Sequence, residues 1–293
     1  MNYFTIKDLE NLSGIKAHTI RVWEQRYNFL RPQRTDTNIR YYDSEELKKL
    51  LRVALLNKYG FKISRINRMS PDEIRNKVIS LNRSDAQQEH LVTELINSMV
   101  DLDMKRFEKL LDTYISGRGI EESISRLIFP FLDRIGILWA ANHINPAQEH
   151  LVSNIIRQKL IVGIEHVFSK HINNNTVLLF LPEGEHHELG LLFVNYLLKS
   201  RGVKVLYLGA NTPLTDVAYL ARLKNVNYIY THLTTILNSF SLDHFVKELI
   251  KNIEHIPVVI SGPLTRHYDK QPPYPVSLKK SLGEAVSFIN SLS

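Results

Sequence analysis

The chain has 293 residues, an apolar fraction of 44%, no cysteine and a formal net charge of +7. That length fits two or three globular domains, and the missing cysteines exclude disulfides, zinc–thiolate sites, iron–sulfur clusters and thiol nucleophiles. No apolar run reaches the roughly 18–20 residues that span a bilayer and MNYFTIKDLE is no basic-then-apolar leader, so a cytoplasmic protein without a membrane partner is expected.

The charge is uneven. Residues 1–70 hold 14 Lys and Arg against 7 Asp and Glu, whereas 71–293 hold 23 against 23. A small basic module on a neutral body predicts an acidic polymer partner for that module alone. Within it, FTIKDLENLSGIKAHTIRVWEQRY predicts two short helices. Ile6, Leu9 and Leu12 form one apolar stripe, Gly14 breaks it, and Ile15, Ile20 and Trp23 form a second. Two such helices around a glycine turn make a helix-turn-helix, whose second helix enters the major groove. Its N-terminal half offers His18, Thr19 and Arg21, with Arg26 and Tyr27 following, while Trp23 is expected in the core. LRPQRTDTNIRYY then predicts a wing, a small hairpin whose Arg31, Arg34, Arg40 and Tyr41 reach phosphate and sugar. Of the adjacent Tyr41 and Tyr42, one should pack inward and the other outward. Asp43 and Glu46 suggest a capping-box variant opening a helix through about Asn57, and a short helix is expected near Ile63–Arg68.

SPDE at 70–73 is a helix start, with Ser70 as N-cap, Pro71 at N1 and Glu73 at N3. From there to residue 176 no strand-like alternation occurs. Leu91, Leu95 and Met99, then Phe107, Leu110, Leu111 and Tyr114, then Ile124, Leu127, Ile128, Phe131 and Ile135 recur at helical spacing, and a last helix opens at NPAQEH. A helical bundle is expected. The connection after Trp139 should bring Trp139, Glu149 and His150 to one end of it.

From residue 176 the pattern alternates between strands (TVLLFLP, KVLYLG, VNYIYTHL, PVVISG) and helices, the first helix being read as HHELGLLFVNYLLKSRG and the last as LKKSLGEAVSFINSL. Alternation of that kind predicts a parallel sheet covered on both faces, with ligands at the carboxyl ends of its strands. Glu185, His187 and Gly190, in EGEHHELG, fall at such an end. A neutral imidazole can ligate a transition metal, and a carboxylate two residues earlier can hold its other ring nitrogen. A glycine three residues later lets a bulky group approach the helix backbone.

Two resemblances follow. TIKDLENLSGIKAHTIRVWEQRY with NIRYY resembles the winged-helix domain of MerR-type transcriptional regulators. That implies a homodimer on double-stranded DNA at palindromic promoter sites, and the RVWEQRY variant is similar to the branch with a cobalamin-related sensory region. Residues 176–293 resemble a cobalamin-binding module. Its Asp-x-His-x-x-Gly signature corresponds to Glu185, His187 and Gly190, which implies His187 as the lower axial ligand of cobalt. Its Ser-x-Leu corresponds to Thr231 and Leu233 around His232, and its Gly-Gly pair to Ser261 and Gly262. The family's Trp-x9-Glu-His pattern, which marks a helical cap over the corrin, is matched by Trp139, Glu149 and His150. Glu185 for Asp, Thr231 for Ser and Ser261 for Gly, with Pro263 close behind, depart from the pattern.

The resemblance implies three parts: a winged helix-turn-helix over 1–72, a four-helix bundle cap over 73–173 and a Rossmann-like, flavodoxin-like sheet over 174–293. It also implies a regulator, most simply a repressor, that senses adenosylcobalamin and light and assembles beyond the dimer, to a tetramer, with the cofactor bound. His143 is a candidate second cobalt ligand on placement alone. The alternative is the same regulator with a cobalamin fold that binds no corrinoid and serves oligomerisation or another ligand. An enzyme is not expected, because no substrate barrel accompanies the module.

Overall fold

The computed structural model describes residues 3–81, 84–140, 144–169, 174–234, 240–253, 255–266 and 268–292. They form two compact units, Met1–Ile155 and Ile156–Ser293.

In the first unit, α1 (Ile6–Ser13) starts at a reciprocal cap. The Thr5 hydroxyl accepts from the Asp8 amide at 3.3 Å and the Asp8 carboxylate accepts from the Thr5 amide at 2.6 Å. Gly14 closes the helix with φ 72°. The second helix, α2 (Ala17–Tyr27), buries Ile20 and Trp23 and ends at Asn28. Strands β1 (Gln33–Arg34) and β2 (Arg40–Tyr41) pair antiparallel as a small wing. Phe4 and Tyr42 bridge at its root through two 2.8 Å backbone bonds. Tyr42 is fully buried and Tyr41 is not, as the alternation demands.

Next, α3 (Ser44–Lys58) is capped by Asp43, which accepts from the Glu46 amide at 2.9 Å. The expected reciprocal half of that box is not made. Glu46 instead accepts the Arg31 amide at 2.8 Å, because the segment leading into β1 brings that donor within its reach. A short α4 (Ile63–Ile66) precedes α5 (Pro71–Ile79), where Ser70 and Glu73 form the full capping box.

The bundle follows: α6 (Ser84–Val100), α7 (Met104–Ser123) with a bend at Gly119, a π-helical turn (Ile124–Ile128) and α8 (Phe129–Ala140), after which α9 (Pro146–Glu165) begins in the first unit and ends in the second. Leu95, Met99, Phe107, Leu111, Leu127 and Phe131 are fully buried, and the rings of Phe107 and Phe131 stand 5.4 Å apart. Burying each such side chain contributes roughly 1.5–3 kcal/mol. Lys48 of α3, itself buried, is ion-paired to Asp101 in the α6–α7 turn, so the basic module is tied to the bundle inside this unit.

The second unit alternates as β3 (Thr176–Pro182), α10 (Leu189–Ser200), β4 (Lys204–Thr212), α11 (Leu214–Lys224), β5 (Tyr228–His232), α12 (Leu242–Asn252), β6 (Val258–Ser261), a 3-10 turn (Pro263–Thr265), β7 (Val276–Lys279) and α13 (Leu282–Ser291). All neighbours in the order β4-β3-β5-β6-β7 are parallel. This is the doubly wound sheet expected. The chain leaves β3 for β4, then reverses past β3 to β5, which sets the switch point at the carboxyl ends of β3 and β5. Right-handed crossovers place α10 on one face and α11 and α12 on the other. Accordingly Ile229 and Leu233 of the β5 segment pack with Val217, Ala218, Phe245 and Leu249, while Tyr228 and Tyr230 meet Phe288 of α13.

Two expectations need correction. The last helix does not begin at LKKS: Val276–Lys279 is a fifth strand, and α13 starts only after Ser281, which accepts from the Glu284 amide. Four residues carry too little period to read, and pairing to β6 decides their state. Nor does α10 include the histidines. The Glu185 carboxylate holds the amides of His186 and His187 in a loop, and the helix opens at Leu189. Among the described residues no helix is long and apolar enough to cross a membrane.

Candidate functional site

Two sites carry chemistry. The first is the exposed edge of α2 with the wing. His18, Arg21 and Arg26 are exposed on α2, and Thr19 is half-buried with its hydroxyl 3.2 Å from His18 Nε2. Arg26 stacks over the Tyr27 ring at 5.5 Å. In the wing, Arg34 is exposed and donates to Asn38 Oδ1 at 2.6 Å, while Tyr41 meets Tyr3 edge-on at 5.0 Å.

Arg40 is more restrained. Its Nε donates to Glu24 Oε1 of α2 at 3.2 Å, and the buried Tyr42 hydroxyl donates to Glu24 Oε2 at 3.0 Å. One carboxylate therefore fixes the wing against the second helix. Burial, and then the Glu24 charge, pushes the Tyr42 pKa well above the phenol range. Two exposed apolar side chains escaped the sequence reading, Val22 on α2 (50% exposed) and Ile39 at the wing tip (60%). Their signal was present: both break the apolar period of their elements and point away from the core. Apolar groups on such an edge can meet thymine methyls.

The second site lies at the switch point. Glu185 is completely buried, and its two oxygens divide their work. Oε1 accepts from the amides of His186 and His187, both at 3.0 Å, and from His187 Nδ1 at 2.6 Å; Oε2 accepts from the Thr234 amide at 2.8 Å. Burial raises the Glu185 pKa, but the bonds from His187 and Thr234 outweigh it and hold the carboxyl below its ordinary range. An ionised carboxylate accepts only, so His187 Nδ1 carries a proton and Nε2 is the nitrogen that, in the neutral imidazole, is left to ligate a metal. The loop is pinned from β4 as well. Asn211 Oδ1 accepts the Gly184 amide at 3.0 Å, and the Asn211 amide donates to the Glu185 carbonyl at 3.2 Å. His187 itself is 47% exposed.

The matching residues on β5 and β6 are arranged less simply. Thr231 is fully buried, and its hydroxyl has no partner among the described residues. Leu233 faces the α11–α12 core. The residue between them, His232, sends its ring to the opposite face and onto Gly190. A Cβ built at Gly190 would lie 2.3 Å from His232 Cδ2 and Nε2. His232 Nδ1 is hydrogen-bonded to Ser261 Oγ at 2.9 Å. Gly262, at φ 106°, stands so close that a Cβ would fall 2.3 Å from the Leu233 carbonyl oxygen. The sequence reading passed over His232. Strand alternation on β5, with Tyr228 and Tyr230 on that face, was the signal.

In the first unit, Glu149 lies in the first turn of α9. It accepts from the Ser153 hydroxyl and stands 3.2 Å from His150 Nδ1, while His150 is largely exposed. Asn145 caps this helix through the Ala147 amide at 2.9 Å. The Trp139 side chain and all of His143 lie outside the described residues.

The fold and the two sites define a regulator class: a winged helix-turn-helix joined to a helical segment and a doubly wound sheet with an imidazole at its switch point. Comparison gives the same answer. Residues 4–73 match the family described as MerR HTH family regulatory protein, and residues 91–162 match the B12 binding domain. The HTH-type transcriptional repressor CarA of Myxococcus xanthus is 31% identical over 210 residues, which span 71% of this chain and 68% of that protein. CarH from the same organism, also an HTH-type transcriptional repressor, is 28% identical over 220 residues, 73% of each. The monomethylamine corrinoid protein of Methanosarcina barkeri shares the fold, with a TM-score of 0.52 at 12% identity over 70% of this chain and 100% of that one. The chain belongs to the family of MerR-type helix-turn-helix transcriptional repressors with a B12-binding domain that includes CarA and CarH.

Proposed function

We propose that this cobalamin-sensing DNA-binding regulator is a repressor that holds adenosylcobalamin through His187 and releases its promoter in light. The observation that carries the reading is the Glu185–His187 pair at the β3/β5 switch point, on a chain that also bears a helix-turn-helix and wing. The donor set fits a corrinoid. Among the described residues no group of three or more His, Asp or Glu is placed to hold a bare ion. A single imidazole with its carboxylate partner suits a metal that brings its own equatorial ligands.

Adenosylcobalamin, when bound, supplies a cobalt–carbon bond that light can break. The chain's residues do the rest. Glu185 fixes the tautomer and direction of His187 and raises its basicity. Gly190 gives the His232 ring its seat, and Gly262 lets the turn after β6 pass against the Leu233 carbonyl. Trp139, Glu149 and His150 serve as the cap, and His143 remains the candidate second ligand. On the DNA side His18, Thr19, Arg21 and Val22 read bases, while Arg26, Tyr27, Arg34, Arg40 and Tyr41 hold the phosphate backbone. The division 1–72, 73–173 and 174–293, a dimer on palindromic DNA and a tetramer with cofactor belong to the same proposal, as does a cytoplasmic location.

The test is an absorption spectrum of protein incubated with adenosylcobalamin in the dark and freed of excess by gel filtration, then illuminated, with mobility-shift assays on promoter DNA in parallel. Retained pigment, a light-dependent spectrum and lost DNA retention are expected. Pigment that passes entirely into the small-molecule fraction removes the sensor reading and leaves a pigment-independent DNA-binding protein.

A further inference from the structure

We propose that His232 is a plug seated on Gly190, latched by Ser261, that must swing aside before the nucleotide arm of a corrinoid can enter beside α10. The inference rests on the reading that this site takes a corrinoid and adds which residue controls entry.

The geometry carries it. The Gly190 surface is where a bulky group would pass the helix backbone, yet the His232 ring leaves no room there even for a methyl group, with Cδ2 and Nε2 2.3 Å and Cε1 2.8 Å from an ideal Cβ. The ring is fixed at its other edge by the 2.9 Å bond between Nδ1 and Ser261 Oγ. Ser261 lies directly beside His232 in the β5–β6 ladder, so the latch is set by strand register rather than by a loop. Ser261 stands where the family's pair has its first glycine, and a glycine has no side-chain oxygen to offer. The two residues therefore form one device: the histidine that covers Gly190 and the hydroxyl that keeps it there.

Charge does not hold the ring. Burial pushes the His232 pKa down to about 4, Glu185 opposes this and Arg266 adds to it, so the imidazole is neutral at physiological pH. A neutral ring held by one hydrogen bond and packing can be displaced, and its exposure at the mouth is partial rather than nil. If the open rotamer is populated at about 0.1–10%, apparent uptake is reduced by that fraction.

The experiment follows uptake by the full-length chain in stopped-flow absorbance. The two probes are adenosylcobalamin and adenosylcobinamide, which shares the corrin and upper ligand but has no nucleotide base. The variants are His232→Ala, Ser261→Ala, the double variant, and His232→Gln as a control that keeps the bulk. His232→Ala should raise the rate with adenosylcobalamin on the order of tenfold to a thousandfold and leave adenosylcobinamide unchanged. Ser261→Ala should move the same way, and the double variant should be no faster than His232→Ala. His232→Gln should stay slow. Equal rates for wild type and His232→Ala with adenosylcobalamin, or equal acceleration of both probes, overturns the plug. If neither probe is retained by any variant, the corrinoid reading itself fails and the plug with it. Melting curves accompany each variant; should His232→Ala fail to fold, Ser261→Ala, which removes one oxygen and opens no large cavity, decides the question alone.

Discussion

Glu24 is the residue on which wing and second helix depend, and its replacement separates two effects that a wild-type measurement mixes. Its carboxylate accepts from Arg40 Nε at 3.2 Å and from the Tyr42 hydroxyl at 3.0 Å, with only 12% of its side chain and 27% of that of Arg40 exposed. Glu24→Ala strands a fully buried hydroxyl, which costs roughly 1–3 kcal/mol. It also removes an ion pair worth about 0.2–1 kcal/mol. For a cooperative unit of the size of Met1–Ile155, a total near 2–3 kcal/mol lowers Tm by roughly 5–10 °C.

Glu24→Gln keeps an oxygen for Tyr42 and loses only the charge pair, so about 1 kcal/mol and 2–4 °C at most are expected. Arg40→Gln, which removes a proposed phosphate contact, should make the slope of log K against log salt shallower by about 0.9. Calorimetry and salt-dependent fluorescence anisotropy read the two quantities. Adding Tyr42→Phe to Glu24→Ala should return the stranded-hydroxyl cost of roughly 1–3 kcal/mol. No recovery in that double variant, or a Gln variant as unstable as the Ala variant, refutes the assignment of the energy to the Tyr42 bond. An unchanged salt slope in Arg40→Gln refutes the phosphate role of Arg40.

Three further outcomes are expected. Glu185→Gln, which withdraws the ionised partner of His187, should weaken corrinoid retention by about 10–100-fold in equilibrium dialysis. Val22→Ala should reduce affinity for the promoter but not for random DNA, and replacing contacted thymines by uracils should erase the difference, as anisotropy titrations would show. Burial pushes the His90 pKa down, Glu94 opposes this, and Arg52 and Arg106 add to it. The unfolded histidine therefore takes a proton below about pH 6.5 that the folded one refuses, so stability falls as pH drops through that value. Chemical denaturation from pH 7.5 to 5 should show the fall, and His90→Gln should flatten it.

What the sequence revealed was what local chemistry decides. The Ser70–Pro71–Glu73 start, the β3 run Thr176–Pro182 and the order of β and α segments depend on neighbours within a few residues, and they appear in the structure where the pattern put them. What it hid depends on partners distant in the chain. Strand β7 is four residues whose state is decided by β6. Glu46 looks like half of a capping box until the Arg31 amide arrives from the wing. Glu24 is an unremarked helix residue until Arg40 and Tyr42 return to it across 16 and 18 positions. The same holds at the switch point. Motif matching reads Thr231 and Leu233 and treats the residue between them as arbitrary, whereas alternation on β5 aims that residue at α10.

The substitution of Glu for Asp at position 185 then takes on a different meaning. From spacing alone it looks like a hydrogen bond that must be re-aimed by one methylene. In the structure the longer side chain lets its two oxygens serve different loops: Oε1 holds His187 on the β3 loop and Oε2 holds the Thr234 amide on the β5 loop. Thr234 is two residues from His232, whose ring rests on Gly190 of the helix that the β3 loop leads into. The imidazole of His187, proposed as the metal ligand, and the imidazole of His232, seated on Gly190, are thus joined through a single buried carboxylate and a few residues of backbone. Were His232 to leave its seat as proposed, a shift of the Thr234 amide would act on the carboxylate that sets the direction of His187. On that proposal, entry of the nucleotide arm and readiness of the axial ligand would be one event rather than two, which is what a sensor requires if a partly inserted ligand is not to be read as a bound one.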